Sequence, residues 1–194
     1  MEKLTSLNLT FDRVLIQLVT PGLITSFPFI LLFFDARPDV ATFFVQDSKG
    51  LLVTAVALVG LVMGIILENI GSRIEVNIYD NLLAQRKRDY FETWEKFLMI
   101  QYKGQEPIGH RYLRNILFRM KFELSAGVGL VIMTTGLGIY NIDHVIFKSV
   151  GLNLLVVYCL PIATSIYLLV FEGLRSAEVL AECRKALVEK YSTE

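Results

Sequence analysis

The sequence predicts an all-α polytopic membrane protein: four transmembrane helices, with a small helical domain on one side built from extensions of those helices. Three observations predict it. Apolar residues make up 54% of the chain and mean hydropathy is +0.52, more than a soluble domain of this size carries. Residues 14–34, 51–67, 124–140 and 149–171 contain no Asp, Glu, Lys, Arg or His. Basic residues, finally, crowd beside alternate ends of those stretches.

Each stretch is close to the length that crosses roughly 30 Å of hydrocarbon at about 1.5 Å rise per residue. Unbroken apolar runs, as opposed to alternating ones, select helices over a β-barrel. The first run resembles a signal peptide in position, but Asp35, Ala36, Arg37 and Pro38 follow it. With no small-x-small cleavage site, it reads as an uncleaved span. Pro21 and Pro28 lie inside it and are expected to bend the helix, each removing a backbone donor. The second and third runs are short and are expected to extend by a turn into the headgroups.

Placing segments 1–13, 68–123 and 172–194 on the cytoplasmic side assigns them sixteen of the 19 basic residues. The opposite orientation would assign three, so the positive-inside rule puts both termini in the cytoplasm of an inner membrane. The chain divides accordingly into residues 1–67 with the first two spans, a cytoplasmic helical insert over 68–123, the last two spans over 124–171, and a C-terminal helix over 172–194.

The insert reads as helical. Ile70, Ile74, Ile78 and Leu82 recur every four residues, continuing the second span outward as an amphipathic helix. After Arg86, Lys87 and Arg88, a second helix places Tyr90, Phe91, Trp94, Phe97 and Leu98 on one face, with Glu92 and Lys96 paired outside. Residues 103–109 read as a loop. A third helix, with Tyr112, Leu113, Ile116, Leu117 and Met120 inward, runs directly into span three. The tail repeats the pattern with Ala177, Leu180, Ala181, Leu187, Val188 and Tyr191. About 55 residues is a small core, so the insert is expected to pack with the tail and with copies of itself.

Small residues and carboxylates form the most distinctive constellation. Gly60, Gly64, Glu68 and Ser72 fall at steps of four, while Glu123, Gly127, Thr134 and Gly138 share a face of span three. Glu172 ends span four, one stripe below Ser165. The glycines are expected to pack helices together, within the chain or in a homo-oligomer taken to be a tetramer. Glu68, Glu123 and Glu172 have Arg73, Arg119 and Arg175 within three to five residues, so interfacial ion pairs explain them. A carboxylate collar at a pore mouth is the alternative, and a paired-carboxylate catalyst a third.

The cluster Arg86, Lys87 and Arg88 reads as a patch against anionic headgroups or as a contact for an acidic partner. Nucleic acid is not expected as a direct partner: 19 basic and 19 acidic residues cancel, and the nearby aromatics keep helical spacing instead of forming a stacking platform. His110 and His144 fall on opposite sides of the membrane. No His-Glu-x-x-His, phosphate loop or Gly-x-Ser-x-Gly motif is present, and Cys159 and Cys183 match no metal or redox spacing. The reading is therefore non-enzymatic, with no cofactor or metal. Coupled transport is disfavoured because no charge lies within a span, although Pro21, Pro28, Asn153 and Pro161 could open backbone groups there.

Two functional classes remain. One is an oligomeric sensor or scaffold that presents cytoplasmic helices to a soluble protein partner; the other is a homo-oligomeric channel. In architecture, four spans with a cytoplasmic helical insert in under 200 residues, the chain resembles the small membrane subunits of bacterial antiviral defence systems, Kiwa among them. That resemblance implies an oligomeric inner-membrane protein that senses envelope disturbance and holds a cytoplasmic, DNA-binding effector.

Overall fold

The computed structural model describes residues 2–100, 108–143 and 154–191. The expected loop at 103–109, apart from its last two residues, His144 of the outer loop and Asn153 of the fourth run lie outside them. Among the described residues there is no strand, and four helices are long and apolar enough to cross a bilayer.

Helix α1 spans Glu2–Ala36. A short α2 (Pro38–Thr42) and a π-helical turn (Phe43–Asp47) lead into α3 (Lys49–Ile74). Helix α3 continues through a second π turn (Glu75–Asp80) into α4 (Asn81–Arg86). Helix α5 (Tyr90–Leu98) turns back beside the tail. Helix α6 (Ile108–Asp143) joins the third expected insert helix and the third span in one element. Helix α7 (Leu154–Ile166) passes through a third π turn (Tyr167–Glu172) into α8 (Gly173–Tyr191).

These lengths settle the architecture. The 38-residue run Lys49–Arg86 is about 57 Å long, nearly twice a hydrocarbon core of roughly 30 Å. The same holds for α6 and for α7 with α8. Each therefore carries an apolar half and a polar half, and the polar halves pack together with α5 as one module.

Within the apolar half, α6 is the most buried span and touches α1, α3 and α7. Backbone contact depends on glycine. A Cβ on Gly22 would lie 1.7 Å from the Gly60 carbonyl oxygen, and one on Gly64 would lie 2.0 Å from that of Leu18. Gly129 and Gly136 of α6 leave room for Thr25 and the Pro28 ring of α1. Helix α1 runs through both prolines without interruption. Hydroxyls inside the apolar zone find acceptors locally or across helices, as a bilayer demands: Thr25 donates to Pro21 O at 2.8 Å, Ser26 to Gly22 O at 2.7 Å, and Ser165 of α7 to Gly127 O of α6 at 2.7 Å. Outward-facing Phe33, Val53, Leu58, Val62 and Ile66 are exposed and would meet lipid.

The polar module has a core of Tyr79, Leu83, Tyr90, Met120, Leu124, Ala177 and Ala181, with Leu113, Ile116, Leu180 and Leu187 beyond it. The third helix and the tail bury most of the residues their periodicity predicts; Leu117 and Tyr191 are half-buried and Tyr112 is exposed. The second span's extension does not. Its buried stripe is Leu67, Gly71, Tyr79 and Leu83, while Ile78 and Leu82 of the expected stripe are exposed. The contacts decide this: Gly71 admits Leu124 and Ser125 of α6, and Tyr79 reaches across to Gly173. In α5, likewise, Tyr90 is buried and Trp94 and Phe97 are half-buried, whereas Phe91 and Leu98 face out.

Candidate functional site

At the level where the helices leave the apolar zone, charged side chains form two separate groups around α6. In the first, Arg119 donates from Nε to Glu123 one turn away at 2.6 Å, and from its terminal nitrogen to Glu172 of the facing π turn. Glu123 is only 5% exposed. A carboxylate at that depth is tolerable only when its lone pairs are met, and the Ser176 hydroxyl supplies a second donor at 2.8 Å. Glu172 accepts from the Tyr167 hydroxyl at 2.5 Å on its other oxygen. One exposed guanidinium thus bridges two carboxylates from different helices.

In the second group, Lys121 of α6 meets Glu68 of α3 at 3.1 Å beside the buried Gln17 of α1. Glu123 pairs with the neighbour its spacing suggests. Glu172 and Glu68 instead take Arg119 and Lys121, in place of Arg175 and Arg73. The physical reason is packing: α6 touches both α3 and the third π turn, so its cations reach carboxylates on both neighbours. Within one chain, therefore, Glu68, Glu123 and Glu172 do not form one cluster.

The small-residue candidates are placed unevenly. Gly60 and Gly64 face α1 within the chain, and Gly127 faces the Leu169 side chain. Gly138 has no atom within 4 Å of where its Cβ would be. Gly22, Gly129 and Gly136 were missed by the sequence reading. A seven-residue spacing links the latter two and could have identified a second packing stripe on α6.

Just above this belt, the two inner π turns meet. The Tyr79 hydroxyl donates to the Leu169 carbonyl, and Gly173 provides the space: a Cβ there would lie 2.8 Å from the Tyr79 hydroxyl oxygen. Single π turns widen a helix and disturb its regular ladder, which leaves carbonyls open to outside donors.

Farther from the spans, the basic cluster divides. Arg86 contacts Glu178 at 2.9 Å and Lys87 contacts Glu182 at 3.5 Å, both on α8. Arg88 is exposed. Two of the three cations therefore help to hold the tail helix. Beside them, Arg184 of α8 is buried, with its guanidinium 4.2 Å from the Trp94 ring centroid and 5.9 Å from that of Tyr90. The Tyr90 hydroxyl donates to Asp80 at 2.5 Å. Burial first, and the bond to Asp80 second, push the Tyr90 phenol up to about 12, against a smaller lowering effect of Arg184. Arg184 lay outside the sequence-derived candidates, since a lone arginine in an amphipathic tail carries no signal until its aromatic partners are known. His110 stacks on Phe97 at 6.1 Å between centroids, in a packing role.

Among the described residues no group of three or more His, Cys, Asp or Glu could hold a metal ion. No known protein family, curated protein or solved structure matches the chain.

Proposed function

We propose that this protein is a non-enzymatic, oligomeric sensor and scaffold of the bacterial inner membrane, with both termini in the cytoplasm. Its polar module would serve as the platform for a soluble effector partner, in keeping with the architectural resemblance to antiviral defence subunits. One observation carries the reading. Three of the four spans continue without a break into the polar module, where Tyr79 and Leu83, Met120 and Leu124, and Ala177 and Ala181 pack as one core. A domain tethered by loops would be insulated from the bilayer. Here a tilt or shift of the spans is carried into the module, because packed helices move as rigid bodies and not by continuous deformation.

Exposed Phe91, Leu98 and Met99 on and just after α5, close to Arg88, support a protein-binding face. Val76, Ile78 and Leu82, which lie past Arg73 and away from the apolar zone, support self-association, since water would otherwise meet them. The test is co-purification of tagged full-length protein with the product of a neighbouring gene. Leu98→Asp and Arg88→Glu should each cut recovery of that partner about tenfold, the effect of a single interface anchor. An unchanged partner set in both variants, with the melting temperature unchanged, would refute the platform. Reporters fused to either terminus that proved periplasmic would refute the orientation.

A further inference from the structure

The cleft between α5 and α8 shares Arg88 with the proposed partner face, but its other lining residues, Arg184 and Trp94 among them, play no part in that reading. We propose that it binds a soluble, phosphate-bearing small molecule of nucleotide size, independently of any protein partner. The cleft has a volume of 390 Å³, within the roughly 300–1,000 Å³ typical of small-molecule sites. Its floor is Arg184, 5% exposed, with its guanidinium carbon over the Trp94 ring. Buried cations normally meet a carboxylate, yet no carboxylate lies within salt-bridge distance of Arg184 among the described residues. Arg184 has a hydrogen bond with the Tyr90 hydroxyl, which itself donates to Asp80, and Glu75 acts on Arg184 only through space.

The walls add to the imbalance. Lys87 and Arg88 line one side and Lys185 the other, while Asp89 and Glu182 offset two of the four cations. Glu182 is already engaged by Lys87, and Lys185 is 4.0 Å from its neighbour Glu189, a weak exposed pair. The residues lining the cleft therefore carry two positive charges in excess, the buried guanidinium included. A phosphate group matches that demand: its oxygens accept paired hydrogen bonds from guanidinium nitrogens and are neutralised by lysines at the rim. The aromatic wall of Trp94 and Tyr90 suits the planar part of a nucleotide. A lipid headgroup is the wrong source. Ala181 and Arg184 lie ten or more residues past Phe171 on a helix, which is about 15 Å or more beyond the span.

Trp94 is the sole tryptophan of the chain and lines the cleft, so its emission reports occupancy. Detergent-purified full-length protein is titrated with ADP, with inorganic pyrophosphate and with adenosine. ADP and pyrophosphate are expected to change the emission saturably, ADP at lower concentration, and adenosine to bind at least about tenfold more weakly than ADP. Arg88 and Lys185 are exposed and outside the core, so Arg88→Ala/Lys185→Ala should weaken ADP binding by about tenfold or more at an unchanged melting temperature. No saturable change up to millimolar ADP and pyrophosphate overturns the proposal. Equal binding by the double variant, or adenosine binding as tightly as ADP, also overturns it. So does a response confined to vesicles of anionic lipid.

Discussion

Tyr79 donates its hydroxyl hydrogen to the backbone carbonyl of Leu169, and each of the two residues sits inside a π-helical turn. The bond ties the second long helix to the fourth at the level where both leave the apolar zone. Helices that cross a bilayer and then continue in water meet two solvents with opposite demands, and the joint between them is where their register can change. A cross-helix bond at that joint fixes how the polar module is rotated relative to the spans.

Tyr79→Phe should remove this constraint while keeping the ring in place. The expected cost is about 1 kcal/mol of stability, the usual net value of one hydrogen bond. Amides of the Tyr167–Glu172 turn should exchange faster in detergent. Unchanged exchange there would mean that the turn is held by side-chain packing alone.

Gly64→Ala tests what the small-residue stripe is for. Because its Cβ would overlap the Leu18 backbone, the first two spans must separate, at about 2 kcal/mol, the range of overpacking. The expected result is a lower melting temperature with the same detergent-solubilised mass. A lowered mass at unchanged stability would assign the stripe to contacts between copies.

Arg119→Ala should destabilise more than a surface substitution does, because it leaves Glu123 charged and buried with the Ser176 hydroxyl as its remaining donor among the described residues. The cost is about 3 kcal/mol. Arg119→Ala/Glu123→Gln should recover much of it. If the double variant melts no higher than the single one, the buried charge is not the source of the loss.

Alkaline pH should act through Tyr90. Its folded-state value lies above the ordinary 10, at about 12, so the neutral phenol is the form that folding favours. Its contribution is complete below pH 10 and is lost as pH rises towards about 12. Tyr90→Phe, which cannot ionise, should be less stable at neutral pH and should show a shallower fall in melting temperature across that window. Parallel curves for the two proteins would contradict the assignment.

Ile78→Asp/Leu82→Asp tests self-association. Both side chains are exposed on a single chain, so the change should lower the mass of the solubilised particle without lowering its melting temperature. A particle of unchanged mass would remove this stripe from the oligomer contact.

Much of the fold is legible in the chain alone. The spans follow from charge-free runs, and the tail and third-helix stripes follow from a period near 3.6, because burial repeats with the helix. Where that rule fails, a partner is responsible. Ile78 and Leu82 are more apolar than Gly71 and Tyr79, yet the buried stripe is the latter pair's. A glycine allows Leu124 to approach, and a tyrosine spans the gap to the fourth helix. Hydropathy measures neither effect. The candidate site was legible to the same degree. Glu123 and Arg119 are one turn apart on one helix and could be paired by counting, but the bond from Arg119 to Glu172 and that from Lys121 to Glu68 join residues 53 positions apart.

Sequence by itself determined that this is a four-span helical chain with long polar helix ends, because transfer of apolar side chains out of water adds up residue by residue along a run. Tertiary structure decided which faces of those helices meet, which cation each carboxylate takes, and that Arg184 lies buried over Trp94 with no carboxylate in salt-bridge reach among the described residues. Those outcomes depend on shape and distance between segments far apart in the chain, and no sum taken along it contains them.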